Sequence, residues 1–189
     1  MRKRNIKVIL IHGNGGGKAT DHWFPYIKTE LEKLGLNVIA RNFPDSILAR
    51  EKIWLSFLKN NLQADENSIL VGHSSGAVAA MRFAQSNKIL GSILVGACYT
   101  DLGDETEMKS NYYNHPWEWE KIRENQKWIV QFVSTDDPYI PITEARFIKD
   151  NLKTEYFEYM DQGHFGTDQM EKLEFPEIVN ILKNKLAIN

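Results

Sequence analysis

The sequence predicts a fold of the α/β class, with about six mostly parallel strands and helices on both faces of the sheet. Short apolar runs alternate with helical patterns along the whole chain. The runs predicted as strands cover residues 7–11, 36–41, 68–72, 90–97, 127–133 and 155–160. The stretches predicted as helices cover residues 22–34, 47–62, 75–86, 117–125, 142–152 and 176–187. Alternation of this kind is typical of a parallel sheet whose crossover connections are helices.

The boundaries of these elements carry chemical signals. Gly35 closes the first helix, the segment 44–46 opens the second, and Pro176 stands where a first helical turn tolerates proline. The helix that follows residue 74 has a stripe of small side chains that lets it lie close to the sheet: Ala77, Ala80 and Ala84. Residues 99–126 form the one long irregular segment, and segments of that length are usually functional or contain further structure.

Length and composition favour one ordinary globular domain over residues 1–189. A net charge of −2 offers no basic surface for nucleic acid. Behind the basic start, the apolar run Val8–Ile11 is too short for a signal peptide or a membrane span. The one cysteine, Cys98, permits no internal disulfide bond. We therefore expect a soluble, cytoplasmic protein.

Residues 72–76 read Gly-His-Ser-Ser-Gly and lie between an apolar run and a helical run. A G-x-S-x-G sequence at a strand-to-helix junction is the signature of a nucleophile elbow. The turn is so tight that side chains two positions before and after the nucleophile would collide, which accounts for Gly72 and Gly76. Ser74 is therefore the candidate nucleophile. The alternative interpretation is a glycine- and serine-rich turn capped by a serine.

Two later loops carry the acid and the base that a serine nucleophile needs. Asp136 and Asp137 follow the predicted strand 127–133, and His164 follows the predicted strand 155–160. After an elbow of this type, the acid and then the histidine come along the chain, each on a loop behind a later strand. The order predicts a catalytic triad. Taken singly, Asp-Asp-Pro is also common turn chemistry, and a Gly-His pair in a loop is often only solvated.

Acyl transfer also needs hydrogen-bond donors for the oxyanion that develops in the reaction. The amide of Ser75, directly after the nucleophile, is one candidate donor, and the amide of Asn14 in the glycine-rich loop 12–17 is the other. A phosphate cradle is the rival interpretation of this loop. However, His12 stands where a Walker A loop needs glycine, and Lys18 stands where the dinucleotide-binding pattern needs glycine.

Several phrases of the sequence resemble the retinoblastoma-binding protein 9 family of small serine hydrolases. These phrases are Gly13–Gly16, Gly72–Gly76, Pro116–Ile122, Ser134–Pro138 and Gly163–Phe165. The resemblance spans nearly the whole chain, and the tryptophan phrase and the Thr-Asp-Asp-Pro phrase are its most discriminating parts. It implies a minimal, lidless α/β-hydrolase fold with a triad of Ser74, Asp137 and His164. It also implies that Asp137, rather than Asp136, is the acid.

The prediction is thus a serine hydrolase, similar to carboxylesterases, that cleaves small ester, thioester or amide substrates through an acyl-enzyme intermediate. Its substrate pocket is predicted to involve His12, Gly13, Gly15 and Trp117. No cofactor or metal is expected, because the sequence has no paired histidines at helical ligand spacing and no cysteine pairs. A small-molecule acyl substrate is the expected partner, and neither nucleic acid nor a membrane is expected.

Two alternatives remain open at this stage. The first is an interaction module on a hydrolase scaffold, in which catalysis is dispensable and the Tyr/Trp segment 112–119 binds a protein partner. The second uses Cys98 as the nucleophile. Cys98 ends a predicted strand without an elbow or a neighbouring base, so a buried small hydrophobic side chain is the better interpretation.

Overall fold

The computed structural model describes residues 6–166 and 171–188. Its strands are β1 (Lys7–Ile11), β2 (Asn37–Ala40), β3 (Ser68–His73), β4 (Gly91–Val95), β5 (Ile129–Ser134) and β6 (Glu155–Tyr159). Its helices are α1 (Phe24–Lys33), α2 (Glu51–Ser56), α3 (Ser75–Ser86), α4 (Glu105–Ser110), α5 (Trp119–Glu124), α6 (Ile142–Leu152) and α7 (Pro176–Leu186), and a π-helical turn (Phe57–Asn61) extends α2. The predicted α/β class is confirmed.

The strands form one sheet in the order β2-β1-β3-β4-β5-β6, and every neighbouring pair is parallel. In a parallel sheet, all carboxyl ends lie at the same edge. The register brings these ends side by side, because His73 of β3 pairs with Val95 of β4 and Ser134 of β5 pairs with Tyr159 of β6. The loops that carry the predicted catalytic residues therefore leave the sheet from one edge.

Each face of the sheet packs against its own layer of helices. Alternate strand residues such as Ile9 and Leu70 face a core built with α2, α3, α5 and α6. Their neighbours Val8 and Ile69 face a second core built with α1 and α7. Both faces are covered, which explains why the central strands read as continuous apolar runs in the sequence.

The predicted second helix over residues 47–62 is wrong in its first turn, because α2 begins only at Glu51. Residues 44–48 form a turn instead, and Ala49 has a positive φ that a helix does not allow. The carbonyls of Ser46 and Ile47 accept hydrogen bonds from Gly16 and Gly15, at 3.1 Å each. The turn therefore holds the glycine-rich loop in place. No local pattern in the sequence predicts this contact.

The structure also adds a helix where none was predicted. Helix α4 lies inside the segment 99–126, and the side chain of Asp104 caps it by accepting hydrogen bonds from the amides of Thr106 and Glu107. The predicted helix over 117–125 is present as α5, which is shorter. No helix in the described part of the chain is long and apolar enough to cross a membrane. The basic start at residues 1–4 lies outside the described residues.

Candidate active site

Ser74 occupies a sharp turn between β3 and α3, with φ 54° and ψ −125°. A side chain at Gly72 would place its Cβ 2.3 Å from the carbonyl oxygen of Gly76, and one at Gly76 would lie 2.2 Å from the carbonyl oxygen of Ile11. The backbone can make this turn only with glycine at both positions. The Ser74 amide donates a hydrogen bond to the Val95 carbonyl of β4 at 2.8 Å, which anchors the turn on the sheet.

His164 and Asp137 form a close pair in the loops after β6 and β5. The Nδ1 of His164 lies 2.7 Å from Oδ2 of Asp137, and their side chains are only 4 % and 3 % exposed. Oδ1 of Asp137 accepts hydrogen bonds from the amides of Tyr139 and Ile140, which fix the carboxylate. Because Nδ1 donates to the carboxylate, Nε2 of the neutral ring is left with its lone pair, as a general base requires.

Asp136 has a different set of partners. Its Oδ1 accepts hydrogen bonds from the Ser134 hydroxyl and from the Gly163 amide, at 2.5 Å and 2.9 Å. The hydrogen bond from Ser134 lowers the pKa of Asp136, and the backbone donors act in the same direction. Asp136 therefore joins the β5 loop to the β6 loop one residue before His164, while Asp137 contacts the His164 ring.

Two residues that were not predicted as site residues also hold His164. Nε2 of His73 lies 2.8 Å from the His164 carbonyl, so it donates a hydrogen bond to it. Burial and the neighbouring His164 hold the pKa of His73 well below its usual value, which keeps this buried ring neutral. Gly96, with φ +58°, leaves room for the His164 ring, since a Cβ there would lie 3.0 Å from Cε1 of His164. No local pattern in the sequence predicts that Gly96, the residue after β4, lies so close to the His164 ring.

The glycine-rich loop 12–17 lies against Ser74. A Cβ on Gly13 would lie 3.3 Å from Cβ of Ser74. His12 fixes the loop, because its Nε2 accepts a hydrogen bond from the Phe43 amide at 2.9 Å and its Nδ1 donates to the Gly13 carbonyl at 2.7 Å. Burial lowers the pKa of His12, which matches the neutral form that these two partners require. His12 thus holds the glycine-rich loop in position, and it also lines the cavity beside Ser74.

A carboxyl side chain that was not predicted, Glu107 of α4, lies on the same side of the site. Its Oε1 accepts hydrogen bonds from Nδ2 of Asn14 at 2.6 Å and from Oγ of Ser75 at 3.3 Å. Its Oε2 accepts one from the hydroxyl of Tyr113 at 3.1 Å. Burial raises the pKa of Glu107, and these three donors oppose the rise. Glu107 was not predicted as a site residue because helix α4, which carries it, was not predicted.

One cavity of about 620 Å³ joins these elements. Its lining includes Ser74, Ser75, Asn14 and His164, and also His12, Gly13 and Gly15. These predicted residues therefore come together in three dimensions. Asp137 lies behind His164, where an orienting acid is needed. Among the described residues, no group of three or more potential metal ligands is arranged to hold a metal ion.

Trp117, predicted to border the substrate pocket, is not among the described residues that line this cavity. Its indole stacks on Trp119, with ring centroids 5.2 Å apart, and its Nε1 donates to the Tyr99 carbonyl. The helix predicted over 117–125 would have included both tryptophans. Helix α5 begins only at Trp119, so Trp117 lies outside the helix, and its ring stacks on that of Trp119.

Arg82 of α3 holds this aromatic segment in place. Its guanidinium lies 3.5 Å from the centre of the Trp117 ring, and it donates hydrogen bonds to the carbonyls of Tyr112, His115 and Pro116. Burial lowers the pKa of Arg82 to about 10. The tryptophan-containing residues 116–122 therefore pack the segment 99–126 onto the scaffold, away from the cavity.

Cys98 lies at the cavity wall as a buried thiol. Burial raises its pKa far above the usual value, so the thiolate that a cysteine nucleophile needs is disfavoured. Its Sγ lies 3.1 Å from the hydroxyl of Tyr113, which in turn donates to Glu107. Cys98 thus belongs to the packing around Glu107.

Comparison with known proteins shows the family of this chain. The family model described as Serine hydrolase matches residues 8–184. The chain is 43 % identical to Serine hydrolase RBBP9 of Rattus norvegicus over 183 residues, which cover 96 % of each protein. It is 28 % identical to the hydrolase YdeN of Bacillus subtilis, over 86 % of this chain and 87 % of that protein.

Solved structures show the same fold. The ydeN gene product of Bacillus subtilis superposes with a TM-score of 0.86 at 26 % identity, covering 97 % of this chain and all of that one. A carboxylesterase of Nitrososphaera gargenis superposes with a TM-score of 0.74 over 98 % of this chain and 91 % of that one, at 16 % identity. The chain therefore belongs to the serine hydrolase family, and it is an enzyme of the α/β-hydrolase superfamily.

Proposed function

We propose that Ser74, His164 and Asp137 form the catalytic triad of this hydrolase and that it cleaves small esters, thioesters or amides. One observation carries the proposal: a serine on a strained elbow shares a cavity with a buried histidine whose Nδ1 is 2.7 Å from a fixed carboxylate. Strained backbone at a nucleophile and a carboxylate-oriented imidazole are the two parts that serine hydrolysis needs.

The reaction proceeds in two steps. Oγ of Ser74 bonds to the substrate carbonyl carbon while its proton moves to Nε2 of His164, and the carbonyl oxygen becomes an oxyanion. The bond to the leaving group then breaks, and the leaving group takes the proton from Nε2. Water attacks the acyl-enzyme in the same way, with His164 receiving a proton from water and returning it to Ser74. Asp137 keeps the ring in the correct tautomer and stabilises the imidazolium.

The amides of Ser75 and Asn14 are the proposed donors to the oxyanion. Ser75 is the first residue of α3, where backbone amides have no partner within the helix and the helix dipole is positive. Asn14 lies in the loop that contacts Ser74 through Gly13. Donors of this kind act where water is largely excluded, and removing one typically costs on the order of 10² to 10³ in kcat.

The cavity wall favours substrates without negative charge. Its described lining includes the carboxyl residues Asp21 and Asp104 together with Glu107, whose pKa burial raises, and none of the described lining residues is lysine or arginine. Like charges brought together in a partly desolvated site repel one another. We therefore propose a neutral or positively charged acyl substrate and exclude acidic acyl chains as good substrates.

A fluorophosphonate probe, which reacts with activated serines, tests the nucleophile. We expect stoichiometric labelling of Ser74 in the folded protein and none in Ser74→Ala, whose ester turnover falls by on the order of 10⁴ or more. Retained turnover in Ser74→Ala would contradict the triad. Folded protein that neither labels nor hydrolyses any ester would instead support the interaction-module alternative.

A matched pair of substrates tests the charge of the pocket. We expect p-nitrophenyl hexanoate to be cleaved with a kcat/KM at least about tenfold above that of mono-p-nitrophenyl adipate, since repulsion of about 1.4 kcal/mol gives that factor. Equal kcat/KM values would contradict the proposed repulsion by the cavity wall, and they would not bear on the proposed triad.

A further inference from the structure

Glu107 touches both residues that carry the proposed oxyanion donors. A single oxygen, Oε1, accepts from the Asn14 side chain at 2.6 Å and from the Ser75 hydroxyl at 3.3 Å. Asn14 belongs to the loop after β1, and Ser75 begins α3 after β3. Glu107 itself lies on α4, so one carboxyl group joins three separate elements beside the nucleophile.

The spacing of two oxyanion donors has to be accurate. Each must lie about 2.7 to 3.1 Å from the position that the oxyanion occupies, and not from the ground-state carbonyl. The amides of Asn14 and Ser75 sit on the loop after β1 and at the start of α3, elements distant in the chain that the pairing of β1 with β3 brings side by side. The pairing sets the approach of these elements, and side-chain contacts of the loop have to set the final separation of the two amides. A side chain bonded to both residues can set it.

Glu107 is itself held rigidly. Its amide donates to the capping side chain of Asp104 at 3.0 Å, and its carbonyl accepts from the hydroxyl of Ser110 at 2.6 Å. On the other side of the carboxyl group, Oε2 accepts from Tyr113, whose hydroxyl also contacts Cys98. A group fixed on both sides can transmit that position to its partners.

We propose that Glu107 is a positioning residue that fixes the separation of the Asn14 and Ser75 amides and so shapes the oxyanion pocket. The inference rests on the proposed function, because it takes these two amides as the oxyanion donors. Glu107 makes no contact with the triad side chains in the described hydrogen bonds, and its effect on the reaction is therefore indirect.

Three variants test this role by steady-state kinetics on p-nitrophenyl butyrate. We expect Glu107→Ala to lower kcat by about 10²-fold with KM changed less than about threefold, because donor placement matters most in the transition state. Glu107→Gln keeps a carbonyl acceptor for both donors and should recover most of the loss. Glu105→Ala, on the exposed side of the same helix, is the control and should match the wild type.

Binding measurements separate positioning from a general structural defect. A boronic acid that forms a tetrahedral adduct with Ser74 should lose affinity in Glu107→Ala by about the same factor as kcat/KM. Butyramide, a neutral ground-state ligand with the same acyl chain, should bind the variant and the wild type within about threefold. A KM rise without a kcat change, or equal losses for boronic acid and butyramide, would overturn the proposal.

The hydrogen bond between Glu107 and Asn14 can also be removed by changing Asn14. Asn14→Ala keeps the Asn14 amide but removes the 2.6 Å bond to Glu107, and it leaves α4 intact. If Glu107 acts through Asn14, the double variant Glu107→Ala/Asn14→Ala should be hardly slower than Glu107→Ala alone. Additive losses would refute the coupling. Ser74→Ala distinguishes the two levels: if it retains turnover, the proposed function fails, whereas a wild-type kcat in Glu107→Ala defeats only this inference.

Discussion

The proposed acid–base half of the site and the proposed oxyanion half are built in opposite ways. Asp137 and His164 sit on short loops directly behind their strands, and each is fixed within its own loop or across to the neighbouring one. The side chains of Asn14 and Ser75 instead share a hydrogen-bond acceptor on Glu107, a residue carried by a helix within a long connecting segment. The first half is thus a property of the sheet edge, and the second is a property of distant packing.

The largest expected effect tests the acid–base half. Asp137→Asn should lower kcat by on the order of 10⁴, because the amide cannot hold the tautomer that leaves Nε2 free. Asp136→Asn is the matched variant, since it changes the neighbouring residue and can still accept the hydrogen bond from the Gly163 amide. We expect it to lose about tenfold or less in steady-state assays. Equal losses would mean that Asp136 shares the orienting role.

The next effect concerns the scaffold of the oxyanion half and is measured as stability. Arg82→Met should lower the free energy of unfolding by about 3 kcal/mol, because three backbone carbonyls lose a charged donor in a largely buried place. Arg123→Met, which removes a half-buried cation of α5 whose ion-pair partner Glu120 is exposed, should cost less than about 1 kcal/mol. Urea denaturation compares the two. A loss below 1 kcal/mol for Arg82→Met would show that the segment is held by other contacts.

Gly96 offers a sharper test of the acid–base half. Gly96→Ala forces a methyl group to 3.0 Å from the His164 ring, and we expect kcat to fall by about 10²-fold as the ring moves. Gly35→Ala is the matched control, because Gly35 also has a positive φ but nothing within 4 Å of the added atom. Both variants should lose about 1 kcal/mol of stability from backbone strain. Normal turnover in Gly96→Ala would show that His164 can shift without loss.

The smallest expected effect is a pH dependence of stability. His73 is buried and neutral in the folded protein, while the unfolded chain takes up a proton near the ordinary value of 6.5. The unfolded state therefore binds more protons below that pH, so stability is full above it and falls as the pH drops. In His73→Gln the fall between pH 7.5 and 5.5 should be shallower, as measured by urea denaturation. Identical slopes would contradict a neutral buried His73.

The difference between the halves also explains what could be predicted from the sequence. Local patterns predict the strands, α3 and the loops that carry Ser74, Asp137 and His164. Apolar runs indicate strands, and the pair of glycines around Ser74 indicates the sharp turn. Glu107 and Gly96 carry no such signal, since their roles come from contacts with residues far away in the chain. Trp117 was predicted to border the pocket as part of a helix over 117–125, whereas helix α5 begins only at Trp119 and Trp117 is not among the described residues that line the cavity.

The all-parallel sheet has a consequence for how the enzyme reaches its active form. Ser74, Asp137 and His164 become neighbours only after β3, β4, β5 and β6 have paired through connections that contain whole helices. Non-local pairing of this kind is slow, because chain entropy is lost before the contacts form. We expect no hydrolysis from a partly folded chain in which β6 is undocked, because the proposed base His164 follows β6. Recovery of esterase activity after dilution from denaturant therefore requires that this edge strand has docked.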